Sequence, residues 1–193
     1  GESVDESHPN GHFVIYVGKD TLALKQARVL DEAGDDVAFG ELLGIPQCCA
    51  EHFSRHRDTI ATRQNDPSSV MATQSTPSPW ALHFPQYFGY GLFSHFPCSW
   101  NCEATETIAK RNAYLLREHS SGLMAFMRYQ TCSYLYTERD GVYAFHDVTE
   151  LDSSFWSYDP KQIEMSSTGF LAQILRANNR IKLDGSRLQV LRD

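Results

Sequence analysis

Two short segments that each join a proline to a pair of cysteines constrain this chain most strongly. The first reads GIPQCCAEHF over residues 44–53, and the second reads SHFPCSWNC over residues 94–102. Together they hold four of the five cysteines, and each carries a histidine within four residues of a cysteine. Thiolate and imidazole groups are ligands that zinc and iron take in proteins. The two half-sites, joined by a loop-like stretch, therefore predict one metal site of iron or zinc that is split along the sequence.

The first half-site is predicted to lie on a helix that begins near Pro46, because proline is favoured at the first helical position. Residues three or four apart share a helix face, so His52 is expected on the same face as Cys48 and Cys49. Glu51 stands next to His52 and is a candidate general base beside the metal. The His-Glu-x₂-His pattern that would support this role is absent.

The second half-site is predicted to lead into another helix. Ser99 is the expected N-cap, which would place Cys102 at the third helical position, where free amides favour a thiolate. Cys98 lies just before that helix, and His95 is three residues earlier. The predicted metal ligands are therefore Cys48, Cys49, His52, His95, Cys98 and Cys102.

Three other hypotheses for these cysteines stay open at this point. They could be small buried hydrophobic residues, as free cysteines often are. They could pair as a disulfide between the two segments. They could also hold a closed structural zinc ion without any chemistry. Neither segment has the Cys-x₂-Cys spacing of a zinc knuckle, so the spacing alone does not select among these hypotheses.

The pattern LGIPxCCxxxF over residues 43–53, followed by FPCSxxC over residues 96–102, resembles a little-characterised family of domains of unknown function. That family carries an LGxPxCC…F segment and a PCSxxC segment that leads into a helix. The resemblance extends over residues 40–113. It implies that both cysteine segments belong to one functional unit, and it implies no particular reaction.

The hydrophobic pattern predicts an α+β fold, in which central helices carry the Cys/His segments and antiparallel hairpins lie toward the C-terminus. Residues 1–11 are polar and are predicted to be a flexible N-terminal tail. Residues 12–193 are predicted to form a single globular domain, which suits the length of the chain. Within it, the β-branched and aromatic run at 12–17 predicts a buried strand, and residues 21–33 predict a capped helix.

The remaining elements follow from periodicity and turn residues. Helices are predicted at residues 37–43, 46–64, 101–119, 123–129 and 168–177; hairpins are predicted at 131–137 with 142–148 and at 180–183 with 187–191; loops are predicted at 65–79 and 151–160.

Charge and composition argue against several partners. The chain has 17 Lys and Arg against 24 Asp and Glu, a net charge of −7, and no basic cluster. This predicts no nucleic acid and no membrane among its partners. It has no apolar run near the roughly 18 residues of a membrane helix and no signal-peptide pattern. Five cysteines, an odd number, fit a cytoplasmic protein with metal-binding thiols better than a disulfide framework.

A second, dispersed set of residues could also build a site. His146 ends a predicted strand and is the second candidate catalytic residue. Together with His83 or His95, and with Glu51 or Asp147, it could form a two-histidine, one-carboxylate iron site. No local motif brings these residues together, and a lone strand histidine is more often structural.

The aromatic stretch over residues 80–100 is predicted to be mostly core, with Tyr87 and Tyr90 as the members that could reach a ligand. Cys132 is isolated in a predicted strand and is expected to be buried and inert.

These observations favour a metal-dependent enzyme that acts on a small organic molecule, with a non-haem iron oxygenase or a related metalloenzyme as the leading hypothesis. The alternatives are a non-catalytic binding module with a structural zinc ion and a thiol–disulfide redox protein. The sequence contains no phosphate-cradling glycine loop, Ser-His-Asp signature or dinucleotide fingerprint, so hydrolases and nucleotide-dependent enzymes are less favoured.

Overall fold

The computed structural model describes residues 14–62, 78–118, 120–137, 140–184 and 187–191. The helices are α1 (Thr21–Ala33), α2 (Asp36–Leu42), α3 (Gln47–Thr62), α4 (Glu103–Leu116), α5 (Ser120–Gln130) and α6 (Phe170–Ala177). The strands are β1 (Ser133–Thr137), β2 (Gly141–Phe145), β3 (Val148–Asp152), β4 (Phe155–Tyr158), β5 (Ile163–Met165), β6 (Arg180–Asp184) and β7 (Arg187–Leu191). Helices dominate the first part of the chain and antiparallel strands dominate the last, so the predicted α+β class is confirmed.

Helix α1 shows why the helix predictions succeed. The side chain of Asp20 caps the helix by accepting hydrogen bonds from the amides of Leu22 and Ala23. At the other end Gly34 takes a left-handed conformation, with φ at 68°, and its amide bonds to the carbonyls of Leu30 and Asp31. Both ends are fixed by residues that favour those positions on their own, which is why the predicted range matches.

Helix α3, which carries the first cysteine pair, is positioned by α2. Gly40 of α2 lies so close to α3 that an added Cβ would sit 3.0 Å from the Cβ of Ala50. The amide of Ile45 bonds to the carbonyl of Gly40 at 2.9 Å and closes the connection between the two helices. This close approach holds the first turn of α3, with its two cysteines, in a defined place.

The strand predicted at residues 12–17 is wrong for the part of it that the structure describes. Residues 14–17 form no strand, and Ile15 and Val17 are 82% and 89% exposed. A β-branched sequence favours extended backbone, but a strand also needs a neighbouring edge to pair with, and among the described strands none pairs with this segment. His12 and Phe13 lie outside the described residues.

The strands form two antiparallel sheets, one with the order β1-β2-β5 and the other with the order β3-β4-β6-β7. The predicted hairpins β1–β2 and β6–β7 are confirmed. The loop predicted at 151–160 is wrong, because β3 and β4 form a hairpin there. The side chain of Asp152 accepts a hydrogen bond from the amide of Ser154 and makes this turn, while acidic residues on exposed β3 hide its strand pattern.

The described residues contain two hydrophobic clusters, one between the strands and α6 and one beside α4 and α5. Tyr143, Tyr158 and Leu175 are central to the cluster between the strands and α6. Leu92, Ala109 and other residues form a second cluster beside α4 and α5. Of the eight aromatic residues at 80–100, Phe84 and Phe93 are buried and five are half-buried, so the stretch belongs to the core only in part. Tyr90 is 36% exposed and stacks on Tyr129, with ring centroids 5.1 Å apart.

Two predicted segments lie outside the described residues: the tail at 1–11 and, apart from Ser78 and Pro79, most of the loop at 65–79. Within the described ranges, no helix combines the length and apolar character needed to cross a bilayer.

The packing of α6 against the sheets gives a stability prediction. Leu175 is fully buried in the core, whereas Phe170 on the same helix is 76% exposed. We expect Leu175→Ala to lower the free energy of unfolding by about 2–5 kcal/mol because it leaves a cavity. Phe170→Ala, the matched control, should change it by less than about 0.5 kcal/mol. Urea denaturation measures both values, and similar losses in the two variants would contradict the described orientation of α6.

Candidate metal centre

Four cysteines from two distant parts of the sequence lie close together in the structure. The outermost two, Cys48 and Cys102, are 54 residues apart in the sequence. The Sγ atoms of Cys48, Cys49, Cys98 and Cys102 all lie within 4.8 Å of one another. The Sγ of Cys102 is 3.8 Å from that of Cys48 and 3.6 Å from that of Cys49, and the latter two atoms are 3.8 Å apart. The two proline–cysteine segments therefore form one cluster that could hold a metal ion.

The first turn of α3 supplies two neighbouring ligands with different surroundings. Pro46 precedes the helix, and its carbonyl accepts hydrogen bonds from the amides of Cys49 and Ala50 at 2.8 and 3.0 Å. Cys49 is 1% exposed, whereas Cys48 is exposed at the surface. Consecutive helical residues point about 100° apart. The cluster therefore reaches from the protein interior to the solvent across this one pair.

The second pair comes from a turn that leads into α4, and one detail of the prediction is wrong here. Cys102, not Ser99, is the N-cap residue, and the helix begins at Glu103. The reason is a turn in which the amide of Cys102 bonds to the carbonyl of Ser99 at 3.2 Å, while Cys102 itself has extended backbone. Cys102 therefore stands one step before the helix, and the backbone amide of Thr105 contributes to lowering the pKa of its thiol.

The four thiols influence one another's ionisation. Hydrogen bonding from the Cys49 thiol lowers the pKa of Cys102 to about 4, and Thr105 adds to the effect. The same interaction with Cys102, together with burial, raises the pKa of Cys49. Burial and the negative charge on Cys102 raise the pKa of Cys98 to about 12. Without a cation the cluster therefore favours a thiolate at Cys102 beside thiols at Cys49 and Cys98, because several negative charges so close together repel one another.

The spacing matches a single tetrahedral ion. Four sulfurs at a Zn–S distance of about 2.3 Å stand about 3.8 Å apart at the corners of a tetrahedron. The three separations among Cys48, Cys49 and Cys102, 3.6 to 3.8 Å, agree with that value, and the Sγ of Cys98 lies within 4.8 Å of each of them. An iron–sulfur cluster would divide its cysteines among several irons and spread them further. The arrangement can therefore hold one zinc or iron ion, and four thiolates around it complete the coordination.

A buried pair of polar side chains, His95 and Thr105, contacts the cysteine cluster through Cys49. The Nε2 atom of His95 lies 2.9 Å from the hydroxyl oxygen of Thr105, and that oxygen lies 3.5 Å from the Sγ of Cys49. Thr105 is fully buried and His95 is 6% exposed. Burial lowers the pKa of His95, so its ring is neutral at physiological pH. The sequence did not indicate Thr105, because a threonine one turn into a helix carries no signal of its own.

The other predicted site residues lie outside this cluster. The ring of His52 packs against that of His56 in a tilted arrangement, with ring centroids 4.6 Å apart and an angle of 48° between the ring planes. Glu51 is exposed and accepts a hydrogen bond from the side chain of Gln47 at 2.9 Å. Among the residues that the structure describes, the four cysteines are the only group of three or more potential ligands whose ligand atoms converge. His52 and His95 are thus not brought together with the thiols, and their role as ligands stays a prediction.

The neighbours of His146 are not the residues predicted to join it in a two-histidine, one-carboxylate iron site. Its ring lies between Cys132, with Sγ 3.0 Å from Nδ1, and Glu164, with Oε1 2.9 Å from Nε2. The expectation that Cys132 is isolated is therefore wrong. The predicted hairpin contained the missing signal, because its register places residue 132 opposite residue 146 just beyond the pair Ser133 and Phe145.

No family model, no curated protein and no solved structure matches this chain. The resemblance to a domain family therefore stays a prediction.

Metal binding should release protons in a way that identifies the ligands. The raised pKa values of Cys49 and Cys98 mean that both are protonated at pH 7, whereas a metal binds only their thiolates. We therefore expect Zn²⁺ binding to release protons, and the affinity to fall as the pH is lowered. Calorimetric titration in buffers of different ionisation enthalpy measures this release. Cys132→Ser should release the same number, and binding without proton release would show that these thiols are not the ligands.

Proposed function

We propose that this protein binds one zinc ion through Cys48, Cys49, Cys98 and Cys102, and that the ion holds two parts of the fold together. The observation that carries the proposal is the mutual spacing of the four Sγ atoms, all within 4.8 Å. A closed set of four thiolates is typical of structural zinc sites, whereas catalytic zinc keeps one position open. Iron bound by four thiolates has the same geometry and is the second choice of metal.

The position of the cluster explains what such an ion would stabilise. Helix α3 packs chiefly on α2, and α4 packs on α5. The cysteine cluster joins the start of α3 to the start of α4, and a stacked pair, Phe53 and Phe96, is a further contact between the two segments. A metal that binds only the folded state adds RT ln(1 + [L]/Kd) to its stability, about 4 kcal/mol at a thousandfold excess over Kd.

Metal content and stability together test this function. We expect the purified full chain to contain one zinc ion, and a strong chelator to lower its Tm. Cys102→Ser should lose most of the metal because it removes a central ligand, whereas Cys132→Ser, the matched control, should keep it. Full metal content in Cys102→Ser would place the site elsewhere. A protein without zinc or iron, whose Tm is unchanged by chelation, would contradict metal binding altogether.

A metalloenzyme acting on a small organic molecule, with a non-haem iron oxygenase as its specific form, is the second candidate. It is favoured by a cavity of about 280 Å³ whose lining includes Cys49, His95 and Phe53. Such chemistry needs an open coordination position. Of the four thiolates, Cys48 is the exposed one and would have to leave the metal to provide that position.

Cobalt substitution separates these two functions. Co²⁺ in the cluster reports its coordination through its visible absorption. If the site is closed, adding cyanide or azide should leave the spectrum unchanged, because no position is free for the anion. A shift of the bands would support the enzyme, and in that case Cys48→Ala should make the shift easier to obtain.

A further inference from the structure

The fifth cysteine, Cys132, lies outside the cluster of four and has the surroundings of a nucleophile. Cys132 immediately precedes β1 and His146 immediately follows β2, and the antiparallel pairing of these strands sets the two residues opposite each other. The Sγ of Cys132 lies 3.0 Å from Nδ1 of His146, and it also lies 3.5 Å from the carbonyl oxygen of Arg128. A base within this distance of a thiol is the first requirement of nucleophilic catalysis by cysteine.

A carboxylate completes the arrangement on the other side of the imidazole. Oε1 of Glu164, on β5, lies 2.9 Å from Nε2 of His146, whose side chain is 8% exposed. A carboxylate at Nε2 favours the tautomer that carries its proton there, which leaves Nδ1 as an acceptor facing the thiol. The Sγ of Cys132 lies closer to Nδ1, at 3.0 Å, than to Nε2, at 3.9 Å, and Glu164 contacts Nε2, so the thiol and the carboxylate favour different ring nitrogens, as in a catalytic triad.

Other side chains hold the carboxylate in place. The hydroxyl of Tyr129 donates a hydrogen bond to Oε2 of Glu164, and a guanidinium nitrogen of Arg128 lies 3.1 Å from Oε1. The ring of Tyr129 also packs edge-on against His146, with centroids 5.3 Å apart. The imidazole is thus oriented by packing and by hydrogen bonds at the same time.

Cys132 also borders a cavity. A space of about 440 Å³ is lined by Cys132 and by several apolar and aromatic side chains, including Phe84, Trp100, Tyr134 and Tyr136. Aromatic rings form much of this wall, which suits an apolar or ring-containing ligand. Burial raises the pKa of the Cys132 thiol to about 11, so it is neutral at physiological pH and needs a base at the moment of attack.

We propose that Cys132 and His146 are the catalytic residues of an acyl-transfer site, that Glu164 positions the histidine, and that the substrate is an ester or thioester with an aromatic or other apolar group. The S–H proton of Cys132 moves to Nδ1 of His146 as sulfur attacks the carbonyl carbon and forms an S–C bond. The C–O or C–S bond to the leaving group breaks, and the leaving group takes the proton from the imidazolium. Water, deprotonated by the same histidine, then hydrolyses the acyl-enzyme and restores the thiol.

Acetylation by 4-nitrophenyl acetate tests this site in the wild-type full chain loaded with Zn²⁺. We expect a burst of 4-nitrophenolate and one acetyl group, which peptide mass mapping should locate on Cys132. Folded Cys132 should react faster than the same residue in urea-unfolded protein, where the histidine is no longer adjacent. This comparison needs no variant. Acetylation at Cys48 instead, or a folded Cys132 that reacts more slowly than the unfolded one, would overturn the proposal.

Variants then assign the roles. His146→Gln should slow acetylation of Cys132 by about 10²–10⁴-fold, the usual contribution of a general base. His56→Gln, a histidine of α3, is the matched control and should react like wild type. An equal rate in His146→Gln and wild type would overturn the role of the base. Circular dichroism checks that each variant is folded.

The role of Glu164 has a readout independent of rate. In wild type, ¹⁵N NMR of His146 should show an acceptor-type Nδ1 and a protonated Nε2. Glu164→Leu should mix the two tautomers and slow acetylation, whereas Glu164→Gln, which can still accept from Nε2, should keep the wild-type tautomer. A spectrum that is the same in all three proteins would show that Glu164 does not position the histidine.

Discussion

The convergence of four cysteine sulfurs in one small volume is the constraint that joins the start of α3 to the start of α4. Thiols can lie in contact as long as most of them keep their protons, but four thiolates at these distances need a cation between them. The pKa values of Cys49, Cys98 and Cys102 express this competition, since only Cys102 is shifted toward the thiolate. The arrangement of the four cysteines is therefore suited to a metal cation.

Local chemistry made much of the fold predictable. Asp20 and Gly34 mark the ends of α1, and the two proline–cysteine segments indicate one split site, because capping and ligand chemistry act over a few residues. What failed depended on distant partners. Residues 14–17 have strand-like composition without a strand to pair with, and β3 is an exposed strand that gains its identity only from pairing with β4.

The candidate sites show the same difference between features set by nearby residues and features set by distant ones. The four metal-site cysteines could be predicted because each pair is adjacent or nearly so in sequence. The contacts of Cys49 with Thr105 and of Thr105 with His95 form only when α3 and α4 come together in the fold. The contact between Cys132 and His146 is intermediate, because both residues lie within the predicted hairpin strands 131–137 and 142–148, whereas their contact depends on the register that pairs Ser133 with Phe145.

The unequal exposure of Cys48 and Cys49 has a consequence for exchange kinetics. An ion held by this cluster would be shielded on one side by buried sulfurs, while Cys48 faces the solvent. Ligand substitution would then begin at that sulfur, through a mixed complex with an incoming thiol or chelator. Tight retention and rapid exchange of a metal ion are separate properties, and in this cluster the buried sulfurs would govern the first while the surface thiolate of Cys48 would govern the second.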